Sequence, residues 1–244
     1  MEKKKIVILS GAGISAESGI STFRDGGGLW DKYDPMEVAS ANGWKKNPSL
    51  VLDFYNQRRA QLENVKPNKA HLDIAALEKD YDVVVITQNV DNLHEQAGSG
   101  KVIHLHGELT KVRPEDSYTV EDRYDESMVK DVGFSAVDFG DVDERGVQYR
   151  PHIVFFGEAV PKLADALKEL VEADYMIIVG TSLLVQPAAS LWQYTPVDCP
   201  VYVVDPEETP IDGEESVVPI KEKATAGVAR VIEMIRKTPE YWLD

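Results

Sequence analysis

Apolar residues along this chain fall into two alternating periods. Short continuous runs rich in branched residues occupy 6–9, 83–86, 153–156, 175–179 and 201–204. Such runs predict strands buried on both faces, as in a parallel sheet. Val102 and Ile103 make a shorter run that leads to His104 and His106. Between the strands the period lengthens to that of a helix. Over 47–65, Val51, Tyr55, Arg58 and Leu62 share one face and Phe54 widens it, while Asn47 and Pro48 supply a cap and a first turn. Pro67, Asn68, Lys69, Ala70 and His71 open another helix, with Leu72, Ala75 and Ala76 inward. Leu163, Leu167, Leu170 and Val171 form a third stripe, and Val228, Val231, Ile232 and Ile235 a fourth. Strands alternating with helices predict an α/β fold, a doubly wound parallel sheet of Rossmann-like type.

Composition narrows the class. At 244 residues and 43% apolar, the chain makes one large domain, or a large domain carrying a small one. Its formal charge of −16 repels phosphate backbones and argues against nonspecific nucleic-acid binding. A single cysteine, Cys199, excludes a disulfide framework and suggests a reducing compartment. The N-terminal apolar run is too short for a membrane span and lacks a cleavage pattern. It reads as the first strand, so the expectation is a cytoplasmic protein without a membrane partner.

Candidate chemistry collects at the ends of the predicted strands, where open α/β sheets bind ligands. After the first strand, Gly11, Gly13 and Ala16 fit G-x-G-x-x-A, a turn that brings backbone and helix N–H groups to a pyrophosphate; Ser15 and Ser18 add hydroxyls. Phe23, Arg24 and Asp25 then precede a run of glycines that reads as a mobile lid or as an ordinary surface loop. No acidic residue ends a second strand ~20 residues on, which argues against a hydride-transferring dinucleotide enzyme. After the 83–86 strand come Gln88, Asn89 and Asp91, read either as turn formers and caps or, with a nearby histidine, as an acid–base site. Arg58 lies in an apolar face. Its guanidinium reaches solvent, pairs with a carboxylate, or joins Tyr55 in receiving a ligand carboxylate. Gly180, Thr181 and Ser182 close a later strand, and Asp205 closes the one after it. His152 reads as structural.

TQNVDNLHEQAG followed by HLHGE resembles the sirtuin family of NAD-dependent protein deacylases. GAGISAESGI running into TFRD resembles that family's cofactor loop, with Ser21 and Thr22 where the family has Pro-Asp. The resemblance implies NAD bound by Gly11, Ala12, Gly13, Ser15, Glu17, Thr22, Phe23, Arg24, Gln88, Asn89, Asp91, Gly180, Thr181, Ser182, Asp205 and Ala224. Sirtuins commonly have Asn at the position of Asp205. The family chemistry implies attack of an acyl-lysine carbonyl oxygen on the nicotinamide ribose, loss of nicotinamide, and release of lysine and O-acyl-ADP-ribose. In it Asn89 and Asp91 position the ribose and His106 is the general base. An acylated-lysine peptide would add as a strand along Phe156, Gly157 and Glu158. FYNQRR resembles the Tyr-x-x-Arg signature of class III sirtuins, which implies that Tyr55 and Arg58 select succinyl or malonyl groups.

The resemblance weakens over 110–150, a segment with 11 acidic and six basic residues. Most sirtuins carry two cysteine pairs there and bind zinc. This segment has no cysteine, so a four-thiolate site is impossible and no metal is expected. A small β-rich core from Val132, Phe134, Val137 and Phe139 is expected instead. The implied organisation is a sirtuin-type Rossmann-like domain from 1–24, 71–109 and 148–244, with a smaller inserted domain from 25–70 and 110–147. The active cleft is expected between them. An ADP-ribosyltransferase, a non-catalytic NAD sensor and a dehydrogenase are the rival functions.

Overall fold

A computed structural model describes residues 3–21, 32–117 and 124–237. β1 (Lys5–Ser10) turns directly into α1 (Ala12–Ala16). Then come α2 (Pro35–Val38), α3 (Ala41–Lys46), α4 (Pro48–Leu62) and α5 (Lys69–Ala76). β2 (Asp82–Thr87), α6 (Leu93–Ala97) and β3 (Val102–His104) return to the sheet. β4 (Gly107–Pro114), β5 (Lys130–Asp131) and β6 (Tyr149–Ile153) form a separate antiparallel sheet in the order β5-β4-β6. The chain closes with α7 (Leu163–Leu170), β7 (Tyr175–Val179), β8 (Val201–Val204), β9 (Val217–Ile220) and α8 (Ala224–Lys237).

The large sheet is parallel throughout and ordered β3-β2-β1-β7-β8-β9. The chain winds outward from β1 through β3, then restarts at β7 and winds the other way. This is the doubly wound Rossmann order, and its reversal lies between β1 and β7. Successive side chains of a strand point to opposite faces. Accordingly Ile6 and Ile8 enter one core with α5 and α8, while Val7 and Leu9 enter a second with α7. A third core is separate from these: Val51, Phe54 and Tyr55 of α4 pack with Leu109, Val112 and Phe155.

The helix starts follow local chemistry. Asn47 accepts a hydrogen bond from Leu50 N and Pro48 occupies the first turn of α4. Asn68 and His71 form a reciprocal capping box on α5.

Several expectations need correction. Leu72 is 49% exposed and Ala76 is exposed, because α5 buries Ala70, His71 and Ile74 instead. Val171 lies past the end of α7 and is exposed. Phe134 and Phe139 are exposed, so of the four residues expected to form a small core only Val137, with Val132 at its edge, reaches the third core. The apolar run at 153–156 is not a strand of the large sheet: β6 ends at Ile153 and pairs antiparallel with β4. A strand without a predicted counterpart, β9, follows Val201–Val204 and tolerates Pro219 because it lies at the sheet edge.

Candidate active site

The carboxyl ends of β2, β1 and β7 are neighbours at the reversal of strand order, and hydrogen bonds tie them into one polar layer. Ser10 Oγ, at the end of β1, donates to Thr87 Oγ1 at the end of β2 (2.9 Å). Thr87 Oγ1 also accepts from Asn89 N at 3.0 Å. The Asn89 amide donates to Gly11 O (3.1 Å) and to Ser15 Oγ (3.2 Å). Ser15 in turn donates to Asp91 Oδ2 at 3.0 Å, and Leu93 N donates to Asp91 Oδ1 at 3.1 Å. Gln88 Nε2 reaches across to Thr181 Oγ1 after β7 (2.9 Å). The first helix and the loop after β2 are therefore one unit.

His106 hangs on this layer through its Nδ1, 3.0 Å from Gln88 O. A carbonyl only accepts, so Nδ1 carries the proton and Nε2 keeps its lone pair. Burial lowers the His106 pKa, opposed by the Gln88 carbonyl, and the ring is neutral at neutral pH. Asp91 is 7% exposed. Burial raises its pKa, while Leu93 N–H, the Ser15 hydroxyl and the charge of His104 oppose that.

Gly11, Gly13 and Gly180 form a backbone crossing. Gly13 N donates to Gly180 O at 2.8 Å, and a Cβ on Gly11 would sit 2.7 Å from Gly180 O. Gly180 itself has φ +64, open to glycine without strain. The glycines thus let the β1 turn seat against the β7 turn, which fixes where the α1 N-terminus points. Ala12 lies in that first turn and Ser182 just past Thr181, both half-buried. Asp205, 7% exposed, follows β8 and accepts from Glu207 N at 3.0 Å. Ala224 begins α8. The Glu17 carboxylate is taken up by Thr225 N and Thr225 Oγ1, both at 2.9 Å, so it anchors the start of α8. Thr22, Phe23, Arg24, Asp25 and the glycine run lie outside the described residues.

On the α4 side, Tyr55 is buried against Phe54 and Phe155, with its pKa pushed up to about 12 by burial. The half-buried Arg58 guanidinium lies 5.8 Å from the centroids of both the Phe54 and the Tyr55 rings. Burial lowers its pKa, and Tyr55 and then Asp91 oppose the shift, so Arg58 feels the site carboxylate. Phe156 is 45% exposed, but its backbone already pairs with Ala39 O (2.8 Å) and Ala41 N (3.2 Å). Gly157 follows with φ +89. The Glu158 N–H donates to Phe155 O at 3.0 Å, and its carboxylate takes two hydrogen bonds from Arg150, at 2.7 and 3.1 Å.

Ser10 and Thr87 belong to this polar layer although neither was singled out as a site residue; each closes an apolar strand, and Thr87 also opens TQNVDNLHEQAG.

The profile of the Sir2 family matches residues 11–187. The chain belongs to the Sir2 family. This Sir2 chain is 47% identical to an "NAD-dependent protein deacylase" of Bacteroides thetaiotaomicron, over 97% of the chain and 100% of that relative. It is 54% identical to one of Helicobacter pylori, over 84% of the chain and 85% of the relative. The crystal structure of a Sir2 homolog–NAD complex superposes with a TM-score of 0.83 at 38% identity, covering 97% of this Sir2 chain and 91% of the other. No helix among the described residues of the Sir2 chain is long and apolar enough to cross a membrane.

Proposed function

We propose that this chain removes acyl groups from lysine side chains of proteins and consumes NAD, releasing nicotinamide and an O-acyl-ADP-ribose. What supports this reaction is the state of His106: a neutral imidazole whose Nε2 is left basic, held one residue from Asn89 at the reversal of strand order. The ends of β2, β1, β7 and β8 lie in a row three strand spacings long, about 14 Å at ~4.8 Å per strand. That row suits an extended dinucleotide. Gly11, Ala12, Gly13 and Ser15 would hold the diphosphate, Thr181, Ser182, Asp205 and Ala224 the adenosine half, and Gln88, Asn89 and Asp91 the nicotinamide ribose. Gly13 N already donates to Gly180 O, so the phosphates would meet other N–H groups of this turn.

Bound NAD supplies the ribose carbon to which the acyl oxygen bonds as nicotinamide leaves. The residues of the chain do the rest. Asn89 and Asp91, clamped by Ser15, keep the ribose in place. Nε2 of His106 accepts a proton from a ribose hydroxyl, with Nδ1 held by Gln88 O so that the ring cannot turn away. Arg58, over the Phe54 and Tyr55 rings, would pair with the free carboxylate of a succinyl or malonyl group.

The test is turnover of acetyl-, malonyl- and succinyl-lysine peptides with NAD, with O-acyl-ADP-ribose detected by mass. Transfer of ADP-ribose to protein in the absence of any acyl peptide would overturn the deacylase reading. Arg58→Met should cost the acidic acyl groups about 10- to 100-fold, the worth of one charged hydrogen bond, and spare acetyl. Equal losses for both would remove Arg58 from acyl selection.

A further inference from the structure

His104 and His106 flank Leu105, yet their rings meet different partners. His104 is 8% exposed and both of its nitrogens are engaged. Nδ1 lies 3.1 Å from Asn89 O, and Nε2 lies 2.7 Å from Glu95 Oε1. A carbonyl and a carboxylate both accept, so each nitrogen needs a hydrogen. A neutral imidazole has only one. The pair must therefore carry an extra proton, as imidazolium beside carboxylate.

We propose that His104 is a positioning residue: held as an imidazolium by Glu95, it grips the Asn89 carbonyl and fixes the loop that carries Asn89 and Asp91. This rests on the deacylase reading above, because Asn89 is the group positioned. The residue is then clamped at three points: its N–H by Thr87, its carbonyl by His104, and its side-chain amide by Gly11 and Ser15. The surrounding charges favour the proton. Glu95 on α6 and Glu108 on β4 attract it, and Asp91 lies within reach of its charge. Lys111 is drawn off by Glu108 at 2.8 Å. His94 and His152 are kept neutral in part by repulsion from His104. Lys162, Glu126, Asp165 and Tyr124 lie across a cavity of about 180 Å³ that His104 and Glu108 also line.

Glu95, His104 and Glu108 bring ligand atoms within 4.8 Å of one another. They do not make a metal site in this state, because a ring donating from both nitrogens has no lone pair left.

The sign of the pH effect is fixed. Burial lowers the His104 pKa, but the hydrogen bond and charge of Glu95, with Glu108 and the Asn89 carbonyl, outweigh it and leave the pKa raised, so the clamp is complete below the ordinary histidine value and is lost as pH rises through the raised one. The decisive variant is Glu95→Gln. A glutamine amide donates to Nε2, so a neutral ring with Nδ1–H still holds Asn89 and no extra proton is needed. Turnover of an acetyl-lysine peptide is measured from pH 6 to 10 in the parent, Glu95→Gln, Glu95→Ala and His104→Ala, with thermal melting as the folding check. Parent turnover tests the deacylase reading by itself; the variant-to-parent ratios test this one. Expected are a weakened or missing alkaline decline in Glu95→Gln, with kcat at pH 7 within about threefold of the parent. A loss of about tenfold or more is expected in Glu95→Ala and His104→Ala, the scale of a small misplacement of a reacting group. An alkaline decline in Glu95→Gln identical to the parent's overturns the proposal. So does parental kcat in folded His104→Ala.

Discussion

Two histidines on either side of Leu105 end in opposite protonation states because their second nitrogens differ. His106 gives Nδ1–H to a carbonyl and keeps a free Nε2 lone pair; His104 spends both nitrogens on acceptors. His106→Ala is expected to cost about 10²- to 10⁴-fold in turnover, the usual worth of a general base, while NAD binding by calorimetry is kept. Near-parental turnover would remove His106 from the chemistry. The His106 pKa is lowered, so its base form disappears only below the ordinary histidine range, and the acid limb of the profile belongs there. The chain pattern pointed to both histidines but could not tell them apart, since that depends on carbonyls that strand pairing brings in. Arg58 and Arg59 show the same limit. Arg59 lies four residues from Tyr55 and three from Leu62, so helical spacing admits it to the apolar face as well as Arg58. It is Arg59 that is fully buried, donating to Leu109 O (2.8 Å) and Ser135 O (3.1 Å). Those partners lie 50 and 76 residues away along the chain.

At the scale of elements, the glycine turns carry the geometry. The G-x-G-x-x-A spacing is legible as a phosphate turn, yet Gly11 and Gly13 are set against Gly180, a contact between segments far apart in sequence. Gly180→Ala places a Cβ 2.5 Å from the Gly13 carbonyl carbon in a residue with φ +64. The left-handed backbone costs a non-glycine residue ~1–2 kcal/mol and overpacking adds ~1–3, so a loss of about 2–5 kcal/mol is expected. Gly146 is the matched control: its φ is +81, but a Cβ there meets nothing within 4 Å. Gly146→Ala should lose only the backbone share, ~1–2 kcal/mol. Urea unfolding of the two variants side by side measures the difference, and equal losses would mean that the crossing is not tight. Strands rich in branched residues were readable because burial on both faces leaves no polar alternation. β9 was not, since four residues including Pro219 carry no such signal. The 153–156 run misled for a related reason: apolar character reports burial, and the third core buries Phe155 as well as the sheet would.

For the whole molecule, the doubly wound order follows from strands and helices in alternation, and the site follows from the order. What did not follow is how the segment over 110–150 holds together without thiolates. Much of its hydrogen bonding is local: Asp143 accepts from Arg145 N and Val147 N, and Asp131 from Gly133 N. Asn56 of α4 then ties it down, accepting from Val137 N and donating to Val137 O. None of these bonds needs a metal, so a strong zinc chelator is expected to leave the melting temperature and turnover where they were; a fall in either would reveal a bound ion. Acid should act differently. His71 and His152 are buried neutral, with pKa values lowered by burial to about 4 and about 3, and burial also holds His94 well below the ordinary histidine value. The unfolded chain takes up these protons near pH 6.5, well before the folded one does, so stability falls as pH drops below that value. Each such histidine removes ~1.4 kcal/mol per pH unit until its folded pKa is reached. His104 pulls the other way only above that range, because its folded pKa is raised. Urea midpoints at pH 7, 6 and 5 should therefore decline with increasing steepness. A flat or rising series would mean that these rings are charged in the fold, and that the polar layer beneath Asn89 is wetter than its burial implies.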